Sequence, residues 1–333
     1  CALSAKGHDV HVLYSKYPDE KIQVEVPYQL HWAQHHDFAT VNLNIFSYPK
    51  VLAPLARKEK FDVIHGNAEE AFGIGNIAAR TKAAYVFTSH APNIPTTGML
   101  EGMLHPIQFL KSVNTYLLRQ AMMQADRIVA FSQFSRDLIV KGLGSTEKIE
   151  VIPPGIESSW FEVERNQVDS NRILFWGRIE EEKGLPELFV SLKKVTEKFT
   201  DLKLTLVGEG NRLQEYKTLV TDLGLIKNVE FLGWLSDKEL QSIAAESRFG
   251  IFPSRIESFG LSVVEAMAAG LPVIAARGGA VAENIEEDLT GRLVPVNDPD
   301  ALTEAILSLL KDQQSAENRA KAAKAAAREK FSW

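Results

Sequence analysis

The sequence predicts an α/β protein built from two doubly wound parallel sheets. Three observations carry this reading. Short apolar, β-branched runs alternate with longer segments of helical spacing along the whole chain, which is the pattern of βαβ units. A single series of this length would make an unusually wide sheet, and 333 residues are ample for two domains. A break of suitable composition lies near the middle. Pro153-Pro154-Gly155 interrupts helix and strand alike, and the polar stretch to Asn171 reads as an exposed linker.

In the first half the strand candidates are 10–14, 62–65, 85–88, 127–131 and 150–152. In the second half they are 173–176, 204–207, 229–232, 250–252, 272–275 and 291–294. Between them, segment 187–198 places Leu188, Leu192 and Val195 on one helical face, and segments 213–223, 237–246, 262–269 and 300–311 are likewise helical. Doubly wound sheets bind ligands beyond the carboxyl ends of their strands. The chemistry is therefore expected in the loops that follow strands.

The composition, 45% hydrophobic and 24% charged, is that of a soluble globular protein. The net charge is −6, and residues 1–160 carry 15 basic against 15 acidic residues, leaving 22 against 28 in the remainder. Neither half offers a basic surface, so no nucleic-acid partner is expected. All eight histidines lie between His8 and His105. The lone Cys1 leaves no intrachain disulfide and fits a reducing compartment. No apolar run is long enough to span a membrane and no signal peptide is visible. A cytoplasmic protein is expected, with any N-terminal targeting segment left open because the chain opens without Met.

Two clusters carry chemistry. The first follows strand 173–176: Gly177, Arg178, then Lys183-Gly184. Gly177 permits a tight turn, and two cations ahead of a helix suit a diphosphate. The competing reading is that the acids 180–182 merely neutralise Arg178 and Lys183 at the surface. The second cluster follows strand 250–252 and runs from Pro253 to Pro272. Glu257 lies in the loop, Gly260 lets backbone amides approach a ligand, and Glu265 lies in the helix. Gly270 is a C-cap candidate. A loop carboxylate, exposed amides and a helix carboxylate can together hold sugar hydroxyls and a ribose. The competing readings are a solvated loop acid for Glu257 and a capping box, Ser262-x-x-Glu265, for the other.

The spacing Glu257-x7-Glu265 inside "PSRIESFGLSVVEAMAAGLPV", with "FWGRIEEEKG", resembles glycosyltransferase family 4, a retaining group with the GT-B fold. "SAKGHDVHVL", "FDVIHGN", "ADRIVAFSQFSRDLI", "KIEVIPPGIE", "LTLVGEGNRL", "VEFLGWLSDKEL" and "GRLVPVNDPDALTEAI" match in the family's order across nearly the whole chain. The resemblance implies two Rossmann-like domains facing across a cleft: residues 1–157 for the acceptor and 158–333 for a nucleotide-sugar donor. It also implies an opening strand before residue 1, whose absence leaves the first sheet without a central strand, and a crossing helix after residue 333.

Carried over residue by residue, the resemblance assigns the donor diphosphate to Arg178 and Lys183. The ribose falls to Glu265 and the donor-sugar hydroxyls to Glu257. Gly177 and the backbone at Phe259, Gly260 and Leu261 would line sugar and phosphate. Gly208 and Glu209 would border the nucleotide, Leu232 and Gly233 would flank the base, and His90 would reach the reaction centre. His65 is a weaker candidate. The pair His35-His36 reads as a polar loop. Asp298-Pro299-Asp300 matches the D-x-D pattern of metal-dependent enzymes but reads as a helix start, so no metal or other cofactor is expected.

The implied reaction moves a hexose from a UDP- or GDP-sugar to a sugar, lipid or small-molecule acceptor with retention. The apolar segment 99–110 and the helix to Met123 would shape the acceptor site, with peripheral membrane contact an open alternative; the competing reading is a helix packed on the sheet. Two other readings keep the fold: a non-catalytic nucleotide-sugar-binding or interaction protein, and a nucleotide-sugar epimerase. A phosphorylase would need a cofactor-bearing lysine context, which the sequence lacks.

Overall fold

The computed structural model describes residues 2–16, 26–34, 37–38, 41–42, 44–67, 71–90, 106–144, 147–166 and 168–332. The pair His35-His36 and residues 99–105 of the apolar segment lie outside the described residues. The chain divides into two compact units, Cys1–Ile152 and Pro153–Trp333. The division falls before the Pro-Pro-Gly turn, not at 157/158. Residues 153–157 go with the second unit because Ile156 pairs with Ser332 and donates its N–H to the Phe331 carbonyl at 2.8 Å.

The strands of the first unit are β1 (His11–Lys16), β2 (Gln29–Gln34), β3 (Asp37–Phe38), β4 (Val41–Asn42), β5 (Val63–Asn67), β6 (Ala84–Ser89), β7 (Arg127–Ala130) and β8 (Ile149–Val151). They form a parallel pair β1-β2, a short antiparallel pair β3-β4 and a four-stranded parallel sheet in the order β5-β6-β7-β8. Phe87, Met122, Ile128 and Ile139 are buried against that sheet. The helix Gln133–Leu143 follows β7 at once. Ser132 caps it by accepting from the Ser135 N–H at 3.0 Å, and Gly144 closes it in the left-handed conformation. A cavity of about 650 Å³ lies between β1 and β5, lined by His11, Tyr48, Leu52, His65 and Asn67 among others.

The second unit continues with β9 (Asp169–Trp176), β10 (Lys203–Val207), β11 (Val229–Gly233), β12 (Ser247–Phe252), β13 (Val273–Ala276) and β14 (Arg292–Val294). All pair in parallel, in the order β11-β10-β9-β12-β13-β14. Numbered within this unit, that order is 3-2-1-4-5-6, the doubly wound dinucleotide-fold arrangement. Its winding reverses between β9 and β12. Strands β12 and β13 are almost wholly buried, as parallel strands covered by helices on both faces must be. Leu188, Phe189 and Leu192 of the helix Leu185–Thr196 form part of the same core.

Two features were not legible in the sequence. Strand β2, "QLHWAQ", has no apolar run and buries only Ala33 among its residues. The terminal helix Gln313–Phe331 is strongly polar. It packs on the helix Leu261–Ala268 through a stripe of Ala316, Ala320, Ala323 and Ala327, spaced for one helical face. Arg165, in the expected linker, is not exposed. Its guanidinium donates to the carbonyls of Gly270, Ser247 and Arg248 and staples the linker to the sheet.

Candidate functional site

The loops after β9, β10 and β12 converge because glycines let their backbones touch. A Cβ on Gly208 would lie 2.0 Å from the Gly177 carbonyl oxygen, and one on Gly184 would lie 2.1 Å from that of Pro253. No side chain fits at either position. Backbone bonds complete the junction: the Ile179 N–H donates to Glu209 O at 2.8 Å and the Arg255 N–H to Glu182 O at 2.7 Å. Glu257 is held from both sides, donating to Gly278 O at 3.2 Å and accepting from the Ala280 N–H at 2.9 Å.

This junction brings Lys183 and Glu257 together across 74 residues of sequence, with Nζ to Oε1 at 2.6 Å. Their side chains are 14% and 20% exposed, so the pair is largely withdrawn from water. The acids 180–182 do not neutralise Lys183. Glu182 instead pairs with Arg178 at 3.0 Å, and the Arg178 side chain stays 72% exposed. Glu181 lies between Arg212 and Arg255, at 2.8 and 3.7 Å, and Arg255 also meets Glu187 at 2.6 Å. One of the two predicted cations thus has a buried carboxylate partner, while the other projects into solvent.

The helix Leu261–Ala268 starts at Gly260, whose φ of 87° is left-handed, with no side-chain cap. The capping-box reading of Ser262 and Glu265 is therefore wrong: the helix begins one residue before Ser262, and Glu265 reaches elsewhere. Its Oε2 accepts from Trp176 Nε1 at 2.8 Å. Burial raises the Glu265 pKa, as do the negative charges of Asp237 and Glu157, and the Trp176 hydrogen bond opposes the rise. Phe259 turns its ring into the core against Phe331 at 5.4 Å and offers only backbone. Leu261 is exposed. The helix start lies over the end of β9: a Cβ on Gly177 would sit 3.9 Å from Ser262 Oγ. At the other end Gly270 is not the cap itself but follows it. The Gly270 N–H meets Met267 O and the Leu271 N–H meets Ala266 O, a Schellman motif.

Toward the sheet edge, a register shift between Leu206 and Val207 pairs Val207 with Gly233, bypassing Leu232. The Gly208 N–H then donates to Gly233 O at 2.7 Å. A Cβ on Gly233 would lie 3.7 Å from Glu209 Oε1, so that carboxylate overlies the end of β11. Asp298 accepts from the N–H groups of Asp300 and Ala301 at 3.1 and 2.9 Å and begins the helix Pro299–Lys311. Asp300 pairs with Lys194. Both acids of the D-x-D match are thus engaged in fold contacts.

In the first unit, His90 follows β6. Its Nε2 donates to Asn67 Oδ1 at 3.1 Å, and its ring meets the Phe131 edge at 5.0 Å. His65 Nε2 and Thr88 Oγ1 are 2.6 Å apart. Burial lowers the pKa of both histidines, and the neighbouring His90 lowers that of His65 further. Three adjacent strand ends thus meet around His90. The sequence reading passed over Asn67, although it ends its strand as His90 follows the next.

With this geometry in place, comparison with known proteins is informative. Residues 157–328 match the family model of glycosyl transferases group 1, and residues 1–160 match that of Glycosyltransferase Family 4. The chain belongs to the group 1 glycosyltransferases, family 4. An uncharacterized glycosyltransferase of Methanocaldococcus jannaschii is 26% identical over 353 residues, covering 99% of this chain and 88% of that protein. Sucrose-phosphate synthase from Thermosynechococcus elongatus has the same fold, with a TM-score of 0.83 at 20% identity over 100% of this chain and 87% of the other. Anabaena HepE in complex with UDP-glucose matches with a TM-score of 0.71 at 21% identity, covering 97% and 95%. This family 4 glycosyltransferase therefore has the GT-B fold. Among its described residues, no helix is long and apolar enough to cross a membrane.

Proposed function

We propose that this glycosyltransferase moves a hexose from a UDP- or GDP-sugar to a sugar, lipid or small-molecule acceptor, with retention and without a metal ion. The observation that carries the reading is the pair of carboxylates flanking one helix start where the sheet of the second unit reverses its winding. Glu257 is bonded to Lys183 and Glu265 to Trp176. The electrostatics divide the site. Arg178 and Lys183 follow β9, each paired with a carboxylate that a diphosphate would displace, while Asp237 and Glu157 make the surroundings of Glu265 negative, suited to neutral ribose hydroxyls. HepE, of the same fold, is known with UDP-glucose.

In this reading Arg178, Lys183 and the amides at Gly260 and Leu261 stabilise charge as it develops on the leaving diphosphate. They take the part a metal ion plays in other transferases. Glu257 exchanges its bond to Lys183 for donor-sugar hydroxyls when the phosphate claims the ammonium. Glu209 and Gly233 border the nucleoside. His90 offers its other ring nitrogen to the sugar. A diphosphate oxygen accepts the acceptor's proton during attack on the same face. The two glutamates are then binding groups and do not form the acid and nucleophile pair of a glycosidase.

Calorimetry of the full chain with UDP, GDP and ADP in EDTA tests the reading. One nucleotide is expected to bind, and Arg178→Ala and Glu265→Ala are expected to lose it. No binding by the folded protein would overturn the donor site and favour an interaction protein. A glycosyl-enzyme trapped on Glu257 would overturn the mechanism.

A further inference from the structure

We propose that Trp176 is a positioning residue for the donor site: its indole N–H holds the Glu265 carboxylate, in one rotamer and in its charged form, for the nucleoside hydroxyls. The proposal rests on the reading of Glu265 given above and adds a residue to it. The Trp176 indole is 5% exposed, and indole nitrogen can only donate. A buried donor of this kind needs an acceptor, and Glu265 Oε2 at 2.8 Å is that acceptor. The indole is itself held on two sides. Trp160 stacks on it with ring centroids 5.7 Å apart and planes 5° apart, and Phe252 meets it edge-on at 4.8 Å. The carboxylate is thus fixed through an aromatic stack.

The surroundings make this contact the counterweight to burial. The charged groups that act on Glu265 are Asp237, at the start of the helix Asp237–Glu246, and Glu157, just before the helix Ser158–Phe161. Both are acids. Basic residues on packed neighbours are turned away. Lys324 and Arg328 of the terminal helix donate to the Val163 and Phe161 carbonyls, and Arg248 of β12 donates to those of Ser170 and Leu310. With no cation turned toward it from these elements, the Trp176 N–H is the contact that favours the carboxylate form of Glu265.

The test compares the full-length wild type, Trp176→Phe and Glu265→Gln by calorimetry with the preferred nucleotide over a pH series. Trp176→Phe keeps an aromatic ring in the stack, removes the donor and leaves a smaller ring in its place. It is expected to weaken binding roughly tenfold, the magnitude of one charge-assisted hydrogen bond. It is also expected to move the acidic limb of binding to higher pH, because the lost bond favours the carboxylate. Lost packing alone would not move that limb. Glu265→Gln is expected to lose binding and to have no such limb.

In the wild type, the Trp176 indole proton resonance is expected to titrate together with that limb. In Glu265→Gln it is expected to stay still. Wild-type affinity and an unmoved limb in Trp176→Phe, with binding still lost in Glu265→Gln, would overturn the proposal and leave the donor-site reading standing. An indole resonance insensitive to pH would overturn it even if Trp176→Phe failed to fold. Absence of nucleotide binding in the wild type would overturn both.

Discussion

The two units hold their polar strand-end groups in different ways. In the second unit, Lys183 with Glu257 and Trp176 with Glu265 are largely buried. One pair joins the turn after β9 to the loop after β12, and the other joins the end of β9 to the helix Leu261–Ala268, across a junction where glycine backbones touch. In the first unit, His90 is exposed and held by a single neutral bond to Asn67. The second arrangement stores charge in a rigid frame, as a site must when it meets a diphosphate with its groups already in place. The first places its imidazoles at an exposed surface. The contrast teaches that backbone-to-backbone contact, at Gly208 on Gly177 and Gly184 on Pro253, sets the polar groups of the second unit in place.

The sharpest way to break the contrast is to put a Cβ into the junction. Gly208→Ala has no room and a φ of 131°, and is expected to cost about 3 kcal/mol or more and to unfold the second unit early on heating. Gly144→Ala in the first unit has a φ of 76° but nothing within 4 Å. It is expected to cost about 1 kcal/mol. Similar losses in urea titrations of the two variants would sink the claim that backbone contact holds the junction.

Next in size is Lys183→Ala. It removes the proposed phosphate contact and leaves Glu257 without its cation. Nucleotide affinity is expected to fall roughly 10- to 100-fold. The double variant with Glu257→Ala is expected to recover thermal stability but not affinity. Recovery of both would mean that the pair is only structural.

A smaller effect sharpens the distinction between function and stability. Burial raises the folded-state pKa of Glu265, so its ionisation costs stability above that pKa. The cost vanishes as pH falls below the ordinary glutamate range, where the group is protonated in both states. Glu265→Gln is therefore expected to raise the thermal midpoint by a few degrees at neutral pH and by nothing in acid. A gain that persists in acid would point to packing and not to charge.

The smallest effect lies in the first unit. His65 and His90 have lowered pKa values, so the folded state binds fewer protons there than the unfolded state. Stability contributed by the neutral rings is complete above the ordinary imidazole range and declines as pH falls through it. His65→Gln is expected to flatten that decline slightly, and a steeper decline would contradict the assignment.

Much of this was legible in the chain alone. Every strand candidate of the second half is a strand, because buried parallel strands read as unbroken apolar runs bounded by glycine and proline. The motif residues Gly177, Lys183, Glu257 and Gly260 lie in the segments that follow those runs and Glu265 in the next helix, so their place beyond the strand ends followed. What escaped had no local signal. Strand β2 buries little, and the terminal helix buries alanines in place of large apolar residues. The capping box at Ser262 was a local inference that failed because Glu265 found a stronger partner on another strand.

The sequence by itself determined the alternation of strands and helices, the family and the set of polar residues at the strand ends, since these depend on local pattern and spacing. Only the tertiary structure decided who partners whom. Trp176 and Glu265 lie 89 residues apart, and Lys183 and Glu257 lie 74 apart. Such pairs form only once β12 lies beside β9 and the 3-2-1-4-5-6 order is complete, because burial and hydrogen bonding are properties of the packed sheet that no short window of residues contains.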